Sequence, residues 1–236
     1  MAFVKETVIS AKKLKKSFTT KDRSQDIFDN LDLDIYKGDF TVIMGSSGEI
    51  EFCGKRITEL SDDQLAVFRR KNCGFVFQQI YLLEKMSLMD NVITAGALVN
   101  SNRKEIAKRA SELFELVNIP EITQKKFSSQ ISGGEAQRTG IVRAVINSPE
   151  VVFADEPTGA LNSNNSDAVL DVFTKLHCNG QSIIMVTHDK KSALRGNRVI
   201  YLKDGQIFGE CDLGNYHPDN EERKEKLNCF LQEMGW

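Results

Sequence analysis

Three short runs of this chain are apolar almost without interruption: Phe40-Thr41-Val42-Ile43-Met44, Val151-Val152-Phe153-Ala154 and Ser182-Ile183-Ile184-Met185-Val186. A strand with one wet face alternates apolar and polar residues, whereas a strand buried on both faces does not. Each run therefore belongs inside a covered sheet, and Gly74-Phe75-Val76-Phe77 reads the same way. The cover comes from segments with helical periodicity: Asp62–Lys71, Ser87 to about Leu116 with Asp90 and Ser101 as N-caps, Glu135–Ile146, Ser166–Leu176 and 219–234. Short apolar strands alternating with helices define an α/β fold with a mostly parallel sheet.

Three segments follow other patterns. Residues 4–18 and Ile27–Ile35 alternate as half-buried strands, with a polar turn from Thr19 to Asp26 between them. Arg198–Leu202 and Gln206–Phe208 flank an Asp204-Gly205 turn, the signal of a hairpin. The segment 79–145 carries almost no strand signal and reads as a helical insertion.

Composition narrows the function. The chain has 236 residues, enough for one large domain or two small lobes, and carries a net charge of −2. A nucleic-acid-binding surface would be clearly basic, so nucleic acid is not expected as a partner. No apolar run approaches the ~20 residues needed to span a bilayer. The opening residues Met1–Glu6 are charged too early for a signal peptide. Cys53, Cys73, Cys178, Cys211 and Cys229 are scattered without a CxxC pair, which favours free thiols in a reducing compartment.

The strand Phe40–Met44 runs into Gly45-Ser46-Ser47-Gly48, which is how a phosphate-binding loop begins. The full motif, G-x-x-x-x-G-K-[ST], continues into a helix. Here Gly48 is followed directly by the strand-like run Glu49-Ile50-Glu51-Phe52, with neither Lys nor Ser/Thr. Further along, Ile131-Ser132-Gly133-Gly134-Glu135-Ala136-Gln137-Arg138 places a hydroxyl and two glycine amides at a helix start, a ready anion site. Val151–Ala154 delivers Asp155-Glu156-Pro157-Thr158-Gly159-Ala160-Leu161 from a buried strand end. A carboxylate there can polarise a water attacking a phosphoryl group.

Together and in this order, these segments resemble the ATP-binding-cassette (ABC) ATPases, from Phe3 to at least Glu210. The likeness is to the subunits serving lipoprotein release, macrolide export and antimicrobial-peptide resistance. It implies a RecA-like core with an N-terminal antiparallel β subdomain and a helical insertion, all in one ATPase domain. The implied parts are about 1–78 and 146–218 for the core, about 79–145 for the helical subdomain, and 219–236 for a last helix. It implies ATP and Mg²⁺ as cofactors, Glu156 and His188 as catalytic residues, and Gln78 and Asp155 at the metal. Phe18 would stack on adenine, and Gly45, Ser46, Ser47 and Gly48 would begin the phosphate loop. Ser132, Gly133, Gly134 and Glu135 would face ATP on a second copy in a head-to-tail homodimer. His188 lies 33 residues after Asp155 and Ser132 lies 54 after Gln78, both as the family has them. The family usually has Asp where Asn162 stands, and Gln in its L-S-G-G-Q signature where Glu135 stands.

The resemblance also implies integral membrane permease subunits as partners and a cytoplasmic site, peripheral on the inner face of the cell membrane. By the same comparison roughly twenty residues are missing after Gly48. They would hold the Lys that meets the β- and γ-phosphates and the Ser/Thr that holds Mg²⁺. The expected function is an ATP-hydrolysing transport subunit whose activity is impaired in this chain. The alternative is a non-catalytic remnant that still binds its membrane partner. A cassette ATPase of DNA repair or translation fits less well, given the acidic balance and the lack of a long coiled-coil insertion.

Overall fold

The computed structural model describes residues 5–20, 23–44, 60–204, 206–218 and 220–236, with side chains at all of these except 13–20 and 23–30. The loop Gly45–Gly48, the run Glu49–Phe52 and the side chain of Phe18 lie outside the described residues. The chain divides into two compact units, Met1–Ser61 with Gly180–Trp236, and Asp62–Asn179.

In the first unit, β1 (Thr7–Thr20) and β2 (Arg23–Tyr36) form a long antiparallel ribbon. The polar turn expected from Thr19 to Asp26 is correspondingly shorter. Thr19, Thr20 and Ser24 are ladder residues, with Thr19 opposite Ser24, and the β-branched threonines favour strand. A second sheet centres on β3 (Phe40–Met44), buried at every position. It runs parallel to β6 (Ser182–Val186) on one side and to β7 (Arg198–Lys203) on the other. The hairpin partner β8 (Gln206–Asp212) is antiparallel to β7. Helices α7 (Lys190–Ala193) and α8 (Glu221–Glu233) complete the unit.

Buried polar side chains set where these strands begin. Asp39 accepts from the Asn197 amide at 3.0 Å, and the Asn197 oxygen accepts from the Phe40 N–H. The Gly38 N–H donates to the Ser182 hydroxyl at 2.9 Å. Arg198 forks onto Glu210 at 2.6 and 2.8 Å and donates to the Asp34 carbonyl, joining β7 to both β8 and β2. A bidentate guanidinium of this kind adds direction as well as energy.

In the second unit, β4 (Cys73–Phe77) and β5 (Val151–Asp155) pair in parallel, with Phe77 opposite Asp155. Around them lie α1 (Asp62–Asn72), α2 (Leu88–Gly96), α3 (Arg103–Leu116), α4 (Glu121–Gln124), α5 (Gly133–Val145) and α6 (Ser163–Cys178). The helical stretch expected from Ser87 to Leu116 is two helices. Their caps are Ser87 and Asn102, not Asp90 and Ser101. Asp90 stands one turn in, where its N–H meets the Ser87 hydroxyl at 3.0 Å, and Asn102 reaches the N–H groups of Lys104 and Glu105. The acid at 90 reads as a cap because first-turn acids and caps share the same preference for a helix N-terminus.

One face of the β4–β5 pair is buried at Gly74, Val76 and Ala154. The other carries a stacked aromatic ladder, Phe75 against Phe153 at 5.3 Å and Phe75 against Phe77 at 6.0 Å, with Phe75 and Phe77 exposed. Gly74 lets α5 lie directly on the strand: a Cβ there would stand 2.5 Å from the Ala144 carbonyl oxygen. Backbone cannot yield as a side-chain tip can. Gly74→Ala is therefore predicted to cost about 1–3 kcal/mol. In a urea titration the midpoint should fall with the slope unchanged.

Candidate functional site

Because β4 and β5 are parallel and in register, their carboxyl ends open on the same edge of the sheet. Phe77 and Asp155 sit side by side, so Gln78 and Glu156 leave adjacent strand ends. Such ends are where open α/β sheets bind ligands. Asp155 and Gln78 are both exposed.

Glu156 has φ +42°, in the left-handed region, although it is neither Gly nor Asn. It also precedes Pro157, which disfavours compact backbone before it. A conformation of this kind costs on the order of 1–3 kcal/mol and persists only where the surroundings enforce it. Here the turn is closed by Gly159 N–H to the Glu156 carbonyl and by Leu161 N–H to the Thr158 carbonyl, each 3.0 Å. The Gln78 side chain lies on this turn, since a Cβ at Gly159 would stand 2.9 Å from its Nε2. The structure thus brings Gln78, Asp155 and Glu156 together. Asn162, the departure from the family pattern, caps α6 by accepting from the Asn165 N–H at 3.0 Å. Asn caps as well as Asp does, so the local role survives the lost charge.

Ser132 caps α5, and of the two glycines behind it Gly134 is the crowded one. A Cβ at Gly134 would meet the Asn165 side chain at 2.7–3.0 Å, and one at Gly133 would touch Leu161 at 3.4 Å. The expected anion site is already engaged by the chain's own carboxylate. Glu135 accepts from both the N–H and the hydroxyl of Ser132 at 2.8 Å, and the Glu135 N–H donates to the Ser132 hydroxyl at 3.2 Å. This capping box places a negative charge where the helix start favours one. The Ser132 N–H, with a smaller contribution from its hydroxyl, holds the Glu135 carboxyl below its ordinary 4.5 against the opposing effect of burial.

Side chains that sequence reasoning passed over fix the Gln78 segment. The Gln137 amide donates to the Phe77 carbonyl at 3.0 Å. Arg143 donates to the carbonyls of Ile80 and Tyr81, both at 2.6 Å, and burial lowers its guanidinium from the ordinary value. Tyr81 sits at φ +49°. Asn91 accepts from the Leu83 N–H at 2.7 Å and donates to the carbonyls of Leu83, Met86 and Ser87. With its backbone held from beneath, the segment turns Phe77, Tyr81, Leu83 and Met86 outward. The signal available in the sequence was polar residues, Asn91 and Gln137, on otherwise buried helix faces.

His188 belongs to the other unit, just past the end of β6, and its residue is exposed. Its backbone neighbours are anchored. The Thr187 N–H donates to the Ile43 carbonyl at 3.1 Å, and Asp189 caps α7 by accepting from the Lys191 and Ser192 N–H groups. The ends of β3 and β6 are neighbours in register, Ile43 opposite Val186, so His188 leaves the sheet where β3 runs toward Gly45. Phe18 falls on β1, opposite Gln25 in the ladder.

A parallel sheet presenting Gln78, Asp155 and Glu156 beside a helix capped by Ser132-Gly133-Gly134 defines a class, the nucleotide-driven cassette. The profile of the ABC transporter family matches residues 28–159, and the chain belongs to that family. The chain is 35% identical over 222 residues to the macrolide export ATP-binding/permease protein MacB of Mannheimia succiniciproducens, covering 86% of this chain. It spans about a third (34%) of that relative's length. Against the bacitracin export ATP-binding protein BceA of Halalkalibacterium halodurans it is 33% identical over 248 residues, 97% of this chain and 96% of the relative. Since 97% of 236 residues is about 229, about 19 positions of that alignment have no counterpart here. Among solved structures, a dimeric post-hydrolysis state of the ATP-binding cassette MJ0796 bound to ADP and Pi matches with TM-score 0.76 at 29% identity, covering 88% of this chain and 100% of that one. The structure of cbiO1 from Clostridium perfringens, part of the ABC transporter complex cbiONQ, shares the fold, with TM-score 0.76 at 22% identity over 98% of each chain.

Two outcomes are predicted for this site. A carboxylate depressed in the folded state stabilises the fold above its unfolded value, and the contribution is lost as pH falls through the folded one. Thermal melts of Glu135→Ala should show lower stability than the parent at pH 7, the difference closing as pH drops from 4.5 downward. Arg143→Ala releases two carbonyls, so amide exchange across residues 79–83 should accelerate while helix content by circular dichroism holds.

Proposed function

We propose that this chain is the ATP-binding and ATP-hydrolysing subunit of an ABC export system. The observation that carries the reading is the strained Glu156 beside Asp155 and Gln78 at one sheet edge. Glu156 accepts the proton of the attacking water, and His188 contacts the γ-phosphate. Asp155 and Gln78 offer a carboxylate and an amide oxygen. Two protein oxygen ligands, completed by phosphate and water, suit Mg²⁺. When bound, Mg²⁺ supplies charge neutralisation at the phosphates.

Two copies assemble head to tail, Ser132–Glu135 of one facing the nucleotide of the other. Permease subunits dock on the outward apolar side chains Phe77, Tyr81, Leu83 and Met86. The chain works at the inner face of the membrane through such partners; among the described residues no helix is long and apolar enough to cross a membrane. The cargo is a peptide, lipoprotein or drug, in keeping with the macrolide and bacitracin exporters it resembles.

The chain as written turns over ATP poorly, because it lacks the phosphate-loop Lys and Ser/Thr. The unmatched positions belong after Gly48. A second reading is supported by the Gln78 segment, pinned through its carbonyls by Gln137 and Arg143. It makes the chain a permease-binding module without turnover, and Mg²⁺-dependent ATPase activity in the chain as written would exclude it.

The test inserts a Gly-Lys-Ser/Thr loop and helix after Gly48. The restored chain should hydrolyse ATP, and Glu156→Gln within it should lose about 10²–10⁴-fold in turnover. Unchanged turnover in that variant would remove Glu156 from its role.

A further inference from the structure

Helix α8 does more than cover the sheet: it grips the short helix that follows His188 at both ends. Arg223 is 4% exposed, and its guanidinium is spent on backbone carbonyls. Its Nε donates to the Leu194 carbonyl at 2.9 Å and its Nη2 to the Gly196 carbonyl, both just beyond the end of α7. Its Nη1 reaches the Leu213 and Gly214 carbonyls at 2.7 and 2.9 Å. A cation in this place answers the negative end of a helix. At the start of α7, the Lys190 ammonium stands 5.5 Å from the centroid of the Trp236 ring.

Trp236 is placed by the end of α8. Gly235 adopts φ +80°, and the Trp236 N–H donates to the Leu231 carbonyl at 2.9 Å, a turn that an L-residue at 235 would strain. α8 itself has little room to move. A Cβ at Gly209 on β8 would meet the Met234 sulfur at 2.5 Å, and Leu227 and Leu231 are buried.

Just ahead of the grip at Lys190, Asp189 caps α7, and the Asp189 N–H donates to the Thr187 hydroxyl at 3.1 Å. His188 is the single residue between these anchors. We propose that Arg223 and Trp236 are positioning residues for His188: α8 clamps α7 and thereby fixes the backbone that aims the imidazole. This rests on the reading of His188 as the γ-phosphate contact. Lys cannot replace the guanidinium fork, which reaches carbonyls on both sides of the α7 exit.

The experiment uses the full chain without nucleotide. Imidazole proton signals of the three histidines, His177, His188 and His217, are recorded by NMR at one pH for the parent, Trp236→Ala, Lys190→Ala and Arg223→Lys. The chain's single Trp reports the same contact by fluorescence. The expected result is a shifted or broadened His188 signal in all three variants, with His177 unmoved. Amide exchange over Lys190–Leu194 should be faster by about tenfold or more, and Lys190→Ala should change Trp236 emission. Trp236→Ala removes one exposed ring and keeps the test sound should Arg223→Lys fold poorly. A His188 signal identical to the parent's in Trp236→Ala and Arg223→Lys would overturn the proposal and leave α8 as packing. A separate His188→Ala variant in the loop-restored chain judges the underlying reading. Full turnover there would refute the histidine's chemical role while the NMR result still decides the clamp.

Discussion

The register of β4 against β5 is the constraint on which the rest depends. Phe77 opposite Asp155 puts Gln78, Asp155 and Glu156 at one edge. A slip of one residue would turn Asp155 onto the opposite face and bring Gln78 level with a different partner. The register is held from beneath by α5, which touches β4 at Gly74 through backbone and at Phe77 through Gln137. The same helix begins at the Ser132 cap and grips the Gln78 segment with Arg143. One helix therefore serves the strand, the segment after it and the signature turn. That is why Gly74 has no room for a methyl group, while Gly134 at the start of the same helix is crowded by the Asn165 side chain of α6.

The α/β class was legible because burial on both faces leaves an unmistakable trace, as in Ser182–Val186, where every apolar side chain but the last is buried. Ser132, Asp155 and Glu156 were legible because their order and spacing carry a family pattern. The left-handed backbone at Glu156 was not, since an acid before Pro gives no local reason to expect it. Nor were Arg143 and Gln137 as anchors, because their partners are carbonyls about sixty residues away in sequence, 62 and 63 for Arg143 and 60 for Gln137. Local pattern records what a side chain prefers, not which distant carbonyl it will satisfy. The Ser87 and Asn102 caps were displaced by one to three residues for a related reason. Several polar residues near a helix start compete, and geometry chooses among them.

Ser132 and Glu135 show how a helix start that could take an anion can be stable without one. The capping box satisfies the helix start with an internal carboxylate, so the turn needs no ligand to hold its shape. A bound anion would compete with that carboxylate for the same N–H and hydroxyl. The strand ends carrying Gln78, Asp155 and Glu156 are likewise formed in advance, whereas the sequence after Gly48 lacks the lysine of a full phosphate loop. On the proposed reading two things are therefore separate: strand ends that hold the acid in place, and a loop without the lysine that would hold the phosphates.

That separation is tested most directly by titration calorimetry of ATP with Mg²⁺ into the chain as written and into the chain carrying a restored Gly-Lys-Ser/Thr loop and helix after Gly48. Heat of binding is expected in the restored chain and affinity at least about a hundredfold weaker in the chain as written, since the phosphate contacts of Lys and the helix amides are charge-assisted. Comparable affinity in both would contradict it, and would mean that other groups in this chain neutralise the phosphates.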